Sequence, residues 1–183
     1  MSDVTAVPLR PIKKGVLTTL WIGIALALIV AALWAWNSTA AQVAAAQPPE
    51  EFLAANARHQ GVQTTASGLQ YKVLTPATGA KPTPADIVRV DYEGKLVTGE
   101  TFDSSARNGG PVQMPVAGVV PGFSEALQLM PKGSTYRFWI PPQLAYGERA
   151  TGPIPANSVL VFDVTLHDIA ALPPGMMGGV PGM

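Results

Sequence analysis

The chain has 183 residues, 48% of them hydrophobic, with 12 Lys and Arg against 12 Asp and Glu and no Cys. That length holds one ordinary domain with extensions, and the even charge balance offers neither a basic footprint for nucleic acid nor an acidic tail. The absence of Cys excludes disulfides, thiolate metal sites, a Cys nucleophile and a lipid anchor on Cys, while leaving the compartment open.

The first element is apolar. From Val16 to Trp36 the sequence VLTTLWIGIALALIVAALWAW carries no charge, and as a helix rising about 1.5 Å per residue it reaches roughly 30 Å, the thickness of a hydrocarbon core. This predicts one transmembrane helix over 16–36. Arg10, Lys13 and Lys14 precede it and no Lys or Arg follows until Arg58. The positive-inside bias therefore puts residues 1–15 in the cytoplasm and the rest beyond the inner membrane, in the periplasm of a Gram-negative cell. The competing reading is a signal peptide cleaved after the small residues near Ser38-Thr39-Ala40 or Ala44-Ala45-Ala46, releasing the domain to the periplasm. Removed apolar segments usually run about 7–15 residues, which favours an uncleaved anchor. Both readings export the same domain.

Residues 37–49, rich in Ala, Gln, Ser and Pro, read as a linker. Residues 50–66 form a lead-in whose segment Glu50–His59 has Phe52, Leu53 and Ala57 on one side of a short helix. A helix that short needs something to pack on. From 67 to 171 the pattern is that of one domain. Leu69, Tyr71 and Val73 alternate with Gln70 and Lys72, and Val88, Val90 and Tyr92 with Arg89, Asp91 and Glu93, as half-buried strands do. Thr98-Gly99-Glu100 turns the chain into a return strand at Thr101–Asp103. After Pro121-Gly122, Phe123, Ala126, Leu127 and Met130 fall at helical spacing until Pro131 ends the helix. Thr135–Ile140 and Val159–Ile169 read as two more strands, the second with Leu160, Phe162, Val164 and Leu166 on one face. Many strands and one helix make an α+β domain with an antiparallel sheet. The Gly, Pro and Met of 172–183 predict a disordered tail.

Familiar catalytic patterns are missing from the sequence. His59 and His167 fall on a surface helix and a strand edge without metal-ligand spacing; no Gly-x-Ser-x-Gly elbow, Walker loop or dinucleotide fingerprint occurs. Asp103 can be a local cap for Ser104 and Ser105 or a pocket carboxylate. Tyr92, Phe102, Tyr146 and Phe162 can be core or pocket wall. Spacing alone does not choose.

Longer motifs carry a resemblance. VDYEGKL with TFDSS, then LAYG and LVFD, resemble the FKBP-type peptidyl-prolyl cis-trans isomerases from about Glu50 to Ile169. FLAANARHQGVQTTASGLQYKVL and ALQLMPKGS resemble the bacterial macrophage-infectivity-potentiator branch of that family. The resemblance implies an antiparallel sheet of five or six strands curled around one short helix, with a substrate proline held between them. It implies Asp103, Tyr146 and Phe102 as catalytic residues and Tyr92, Val119, Val120, Phe123, Ile154 and Phe162 as substrate-binding ones. The main-chain N–H of Ile154 would donate to a bound carbonyl, and Phe123 stands at the floor where the family has Trp. Proline-containing polypeptides are the implied partners and macrolides the implied inhibitors, with no cofactor and no metal. A tethered chaperone or peptide-binding module using the same pocket without useful turnover is the alternative.

Overall fold

The computed structural model describes residues 27–32 and 47–171. Residues 27–32 are helical, with Leu28, Ile29 and Val30 exposed; the rest of the expected span 16–36, most of the linker and the tail 172–183 lie outside the described residues. Among the described residues no helix is long and apolar enough to cross a membrane.

The domain is built on two long strands. β3 (Asp86–Leu96) and β7 (Leu160–Ala171) pair antiparallel along their whole length. On their shared inner face Val88 and Val90 from β3 and Val164 and Leu166 from β7 are fully buried. β6 (Thr135–Ile140) flanks β7 on its other side, and β2 (Gln70–Thr75) and β1 (Val62–Thr64) follow outward. β4 (Thr101–Ser104) and β5 (Val112–Pro115) share the free side of β3, opposite Glu93–Lys95 and Ile87–Val90 respectively. The sheet thus has seven strands where five or six were expected. β1 is three residues long, too short for a period-two signal. β5 is bounded by Pro111 and Pro115, which obscure a strand pattern and are tolerated here because the strand lies at the sheet edge.

α2 (Pro121–Leu129) crosses the concave face, with Phe123, Ala126 and Leu127 and the following Met130 all buried, as the helical spacing predicts. Pro121 opens it at the first turn, where a missing N–H costs nothing.

Two expectations need correction. Gln70 alternates with core residues and was expected to face water, yet it is 3% exposed. α1 (Pro49–Asn56) docks on that outer face. Asn56 Nδ2 donates to Gln70 Oε1 at 2.8 Å, and Gln70 Nε2 donates to the Leu53 carbonyl at 2.8 Å. The burial is tolerated because both amides are bonded; a lone one would cost about 1–3 kcal/mol. His167 does not sit at a sheet edge, since β7 lies between β6 and β3. It occupies a register shift, opposite the step from Arg89 to Val90, and its Nε2 lies 2.7 Å from Asp91 Oδ2.

Candidate active site

The concave face opens where β3 leaves α2. A cavity of ≈ 300 Å³ lies there, with Phe123 and Phe162 at its apolar floor, Val119 and Val120 beside them, and Tyr92, Asp103 and Tyr146 supplying the polar groups. Seven of the nine residues expected from the sequence therefore line one space. Met114 and Gly118 also line it and were missed, because nothing in VQMPVAG separates a pocket wall from a loop.

Phe162 is the centre of the aromatic wall. Its ring is 4.8 Å from that of Phe123, 6.3 Å from that of Tyr92 and 5.6 Å from that of Phe102, the last edge-on at 85°. Phe102 thus backs the wall rather than lining the cavity. Gly94 makes this packing available. It faces Asp103 on β4 and Phe162 on β7, and a Cβ there would come within 2.7 Å of both the Phe102 and Phe162 rings. Its sequence signal was a glycine inside a strand pattern, which marks a close approach.

The polar groups are set by an interruption in the sheet. β4 and β5 leave Asp91 and Tyr92 between their paired segments of β3, and the chain fills the interval with a 3-10 turn, Ser105–Asn108. Ser105, 3% exposed, accepts the Tyr92 N–H at 3.2 Å and donates to Asp91 Oδ1 at 2.9 Å. A hydroxyl replaces the absent ladder acceptor. Arg107 reaches back to the Phe102 and Thr101 carbonyls at 2.9 and 3.1 Å, tying down β4.

Within this frame Tyr92 Oη donates to Asp103 Oδ2 at 2.7 Å, while Asp103 Oδ1 accepts the Ser104 N–H at 2.8 Å. The cap and the pocket carboxylate are therefore one residue using its two oxygens. Burial, with the hydrogen bond to Asp103 second, pushes the Tyr92 hydroxyl up to about 12. It stays protonated and remains a donor. Tyr146, 39% exposed, stands at the rim on the loop after β6.

Ile154 departs from its expected role. Its side chain is 5% exposed in the core, and its N–H donates to the Thr151 carbonyl at 3.0 Å. Thr151 and Ile154 form a bridge across a two-residue turn in which Gly152 supplies the positive φ of 56°, so the N–H is consumed locally.

The arrangement is an apolar slot with a fixed hydroxyl–carboxylate pair on one wall. It can enclose a small apolar ring and hydrogen-bond groups beside it. Residues 78–167 match the family model described as FKBP-type peptidyl-prolyl cis-trans isomerase, and residues 30–73 that of the domain amino terminal to it. The chain is 56% identical over 117 residues to the FKBP-type peptidyl-prolyl cis-trans isomerase FkpA of Aeromonas hydrophila, covering 64% of this chain and 44% of that protein. It is 47% identical over 121 residues to the outer membrane protein MIP of Legionella longbeachae, covering 66% and 52%. The crystal structure of FkpA from Escherichia coli superposes with a TM-score of 0.67 at 34% identity, covering 90% of this chain and 76% of that one. A peptidyl-prolyl cis-trans isomerase from Pseudomonas syringae pv. tomato gives 0.63 at 35% identity, covering 67% and 90%. The chain spans about half the length of the curated relatives it matches.

Proposed function

The chain belongs to the FKBP-type peptidyl-prolyl cis-trans isomerase family, and from that premise we propose that it accelerates rotation about X–Pro bonds in exported polypeptides. The observation that carries this reading is the Tyr92–Asp103 pair held at 2.7 Å on the wall of an aromatic cavity of ≈ 300 Å³.

Amide resonance holds the X–Pro bond planar behind a barrier of about 18–20 kcal/mol, and uncatalysed exchange takes tens to hundreds of seconds. Twisting the bond abolishes that resonance and leaves a less polar carbonyl. A slot walled by Phe123, Phe162, Val119 and Val120 binds the twisted, less polar amide better than the planar one, which lowers the barrier with no covalent step. The Tyr146 hydroxyl at the rim holds a flanking carbonyl, so one side is fixed while the other rotates. With both Asp103 oxygens bonded to Ser104 and Tyr92, the role we assign to this carboxylate is to fix the Tyr92 hydroxyl at the wall.

The proposal extends to location. Val16–Trp36 anchors the chain in the inner membrane with the isomerase domain in the periplasm. The uncharged run, the basic residues before it and the exposed side chains of Leu28, Ile29 and Val30 support this.

The test is exchange of an Ala-Leu-Pro-Phe peptide in a protease-coupled assay with the full chain in detergent. Acceleration proportional to enzyme is expected; exchange no faster than in buffer overturns the reading.

A further inference from the structure

Tyr92 stands one residue past the end of the β3–β4 ladder, whose last pair is Glu93 with Ser104. The ladder on that side therefore does not fix Tyr92 against the strand that carries Asp103. Ser105 supplies the link, taking the Tyr92 N–H at 3.2 Å and donating its own proton to Asp91 Oδ1 at 2.9 Å. Asp91 alternates with the core residue Val90 and the cavity residue Tyr92, so its side chain leaves the sheet on the face away from the cavity. There its second oxygen, Oδ2, meets His167 Nε2 at 2.7 Å. An ionised carboxylate only accepts, so the proton of that contact belongs to the imidazole. His167 is within reach because β7 bulges: Arg89 faces Asp168 and Val90 faces Leu166, which leaves His167 as the extra residue. A bulge bends its strand and re-aims the side chain it carries.

We propose that His167 and Asp91 are positioning residues of the aromatic cavity, holding the Tyr92–Asp103 pair in place from the opposite face of the sheet by way of Ser105. The inference rests on the isomerase reading for the reaction and goes beyond it in giving a catalytic consequence to side chains that lie away from the cavity. Its basis is an unbroken run of hydrogen bonds across β7, β3 and β4. His167 donates to Asp91, Asp91 accepts from Ser105, Ser105 accepts from the Tyr92 N–H, and the Tyr92 hydroxyl donates to Asp103. With His167 present both Asp91 oxygens are engaged and the carboxylate has one orientation. Without it the carboxylate is free to turn toward water, and Ser105 loses a fixed acceptor. The His167 and Asp91 side chains are 32% and 43% exposed. A pair that open to solvent adds little to global stability, so its effect on the cavity can be measured apart from folding.

The experiment uses the full chain in detergent and two substitutions at one position. His167→Leu removes the donor, and His167→Gln restores an N–H at nearly the same reach. In exchange of the Ala-Leu-Pro-Phe peptide, kcat for His167→Leu should fall about three- to tenfold, the worth of one hydrogen bond, with KM nearly unchanged because the apolar walls are intact. His167→Gln should recover most of the loss. In a Ser105→Ala background His167→Leu should cost nothing further, since the route to Tyr92 is already cut. Tyrosine labelled with ¹³C at Cζ, with the Tyr92 resonance identified by Tyr92→Phe, reads the pair without turnover: the resonance should move in His167→Leu and return in His167→Gln. An unchanged kcat in His167→Leu overturns the proposal. So does a His167→Gln protein no faster than His167→Leu, a penalty that adds to that of Ser105→Ala, or a lost rate with the Tyr92 resonance unmoved. If the unmodified protein does not accelerate exchange, the isomerase reading falls, and the resonance alone decides whether His167 holds the pair.

Discussion

Tyr92 on β3 and Asp103 on β4 meet at 2.7 Å at a gap in the ladder on that side of β3, where Asp91 and Tyr92 lie between the segments paired with β5 and β4. Ser105 closes that break by taking the Tyr92 N–H, which leaves the position of the Tyr92 hydroxyl determined from both ends of the residue.

Burial, with the hydrogen bond to Asp103 second, pushes the Tyr92 hydroxyl up to about 12, so it keeps its proton at neutral pH. Asp103→Asn keeps the shape but must place its NH₂ toward either Tyr92 or the Ser104 N–H. Turnover should fall about five- to thirtyfold, the difference of about 1–2 kcal/mol between a charged and a neutral acceptor. The rate should stay flat between about pH 6 and 8. A complete loss with a bell-shaped profile would mean that Asp103 moves a proton.

Removing the aromatic wall should be more severe. Phe162, 9% exposed, touches three other rings, and Phe162→Ala should abolish most of the rate and cost about 3–5 kcal/mol of stability. Gly94→Ala introduces a methyl at 2.7 Å from two rings, and should lower the exchange rate with a stability loss of about 1–3 kcal/mol. Urea unfolding and peptide exchange on the same samples check both. A Gly94→Ala protein with unchanged rate would show that the rings can part without consequence.

At the floor, Phe123→Trp should tighten binding of macrolide or pipecolyl compounds, since the indole adds apolar area at roughly 25 cal/mol per Å². Calorimetric titration reads this directly. Weaker binding with folding intact would mean that the close packing of Phe123 on Phe162, at 4.8 Å, has shaped the cavity for the smaller ring.

The Asp91–His167 contact predicts an acid response. The hydrogen bond from His167 holds the Asp91 carboxyl below its ordinary 3.8. A carboxylate depressed in the folded state contributes stability above the unfolded value and loses it as pH falls through the folded one. Melting temperature should therefore drop more steeply below about pH 4 in the unmodified protein than in Asp91→Asn, with the effect reduced because the side chain is 43% exposed. Parallel slopes in thermal melts across that range would show that the contact adds nothing.

Protease added to spheroplasts tests location. A membrane-bound, full-length chain whose domain is digested from outside is the expected result for an anchor over Val16–Trp36. A shortened soluble species would establish cleavage, and digestion only after the membrane is broken would reverse the orientation.

The central helix and the long strands could be read directly. Phe123, Ala126, Leu127 and Met130 at helical spacing, and Leu160 to Leu166 at period two, are patterns that burial on one face imposes on any sequence. The motif around Tyr92, Phe102, Asp103 and Phe162 likewise named residues that the fold does bring to one cavity or its backing. What only the tertiary structure decided were the places where neighbours, rather than periodicity, set the outcome. Gln70 is buried because α1 crosses its face, β5 is a strand despite its prolines because it lies at the sheet edge, and His167 is drawn to Asp91 by a register shift in β7. The Ile154 N–H is engaged because a two-residue turn closes upon itself. Each depends on a hydrogen bond or packing contact whose partner can be identified only when the chain is folded, whereas hydrophobic period is a local property and survives in the sequence.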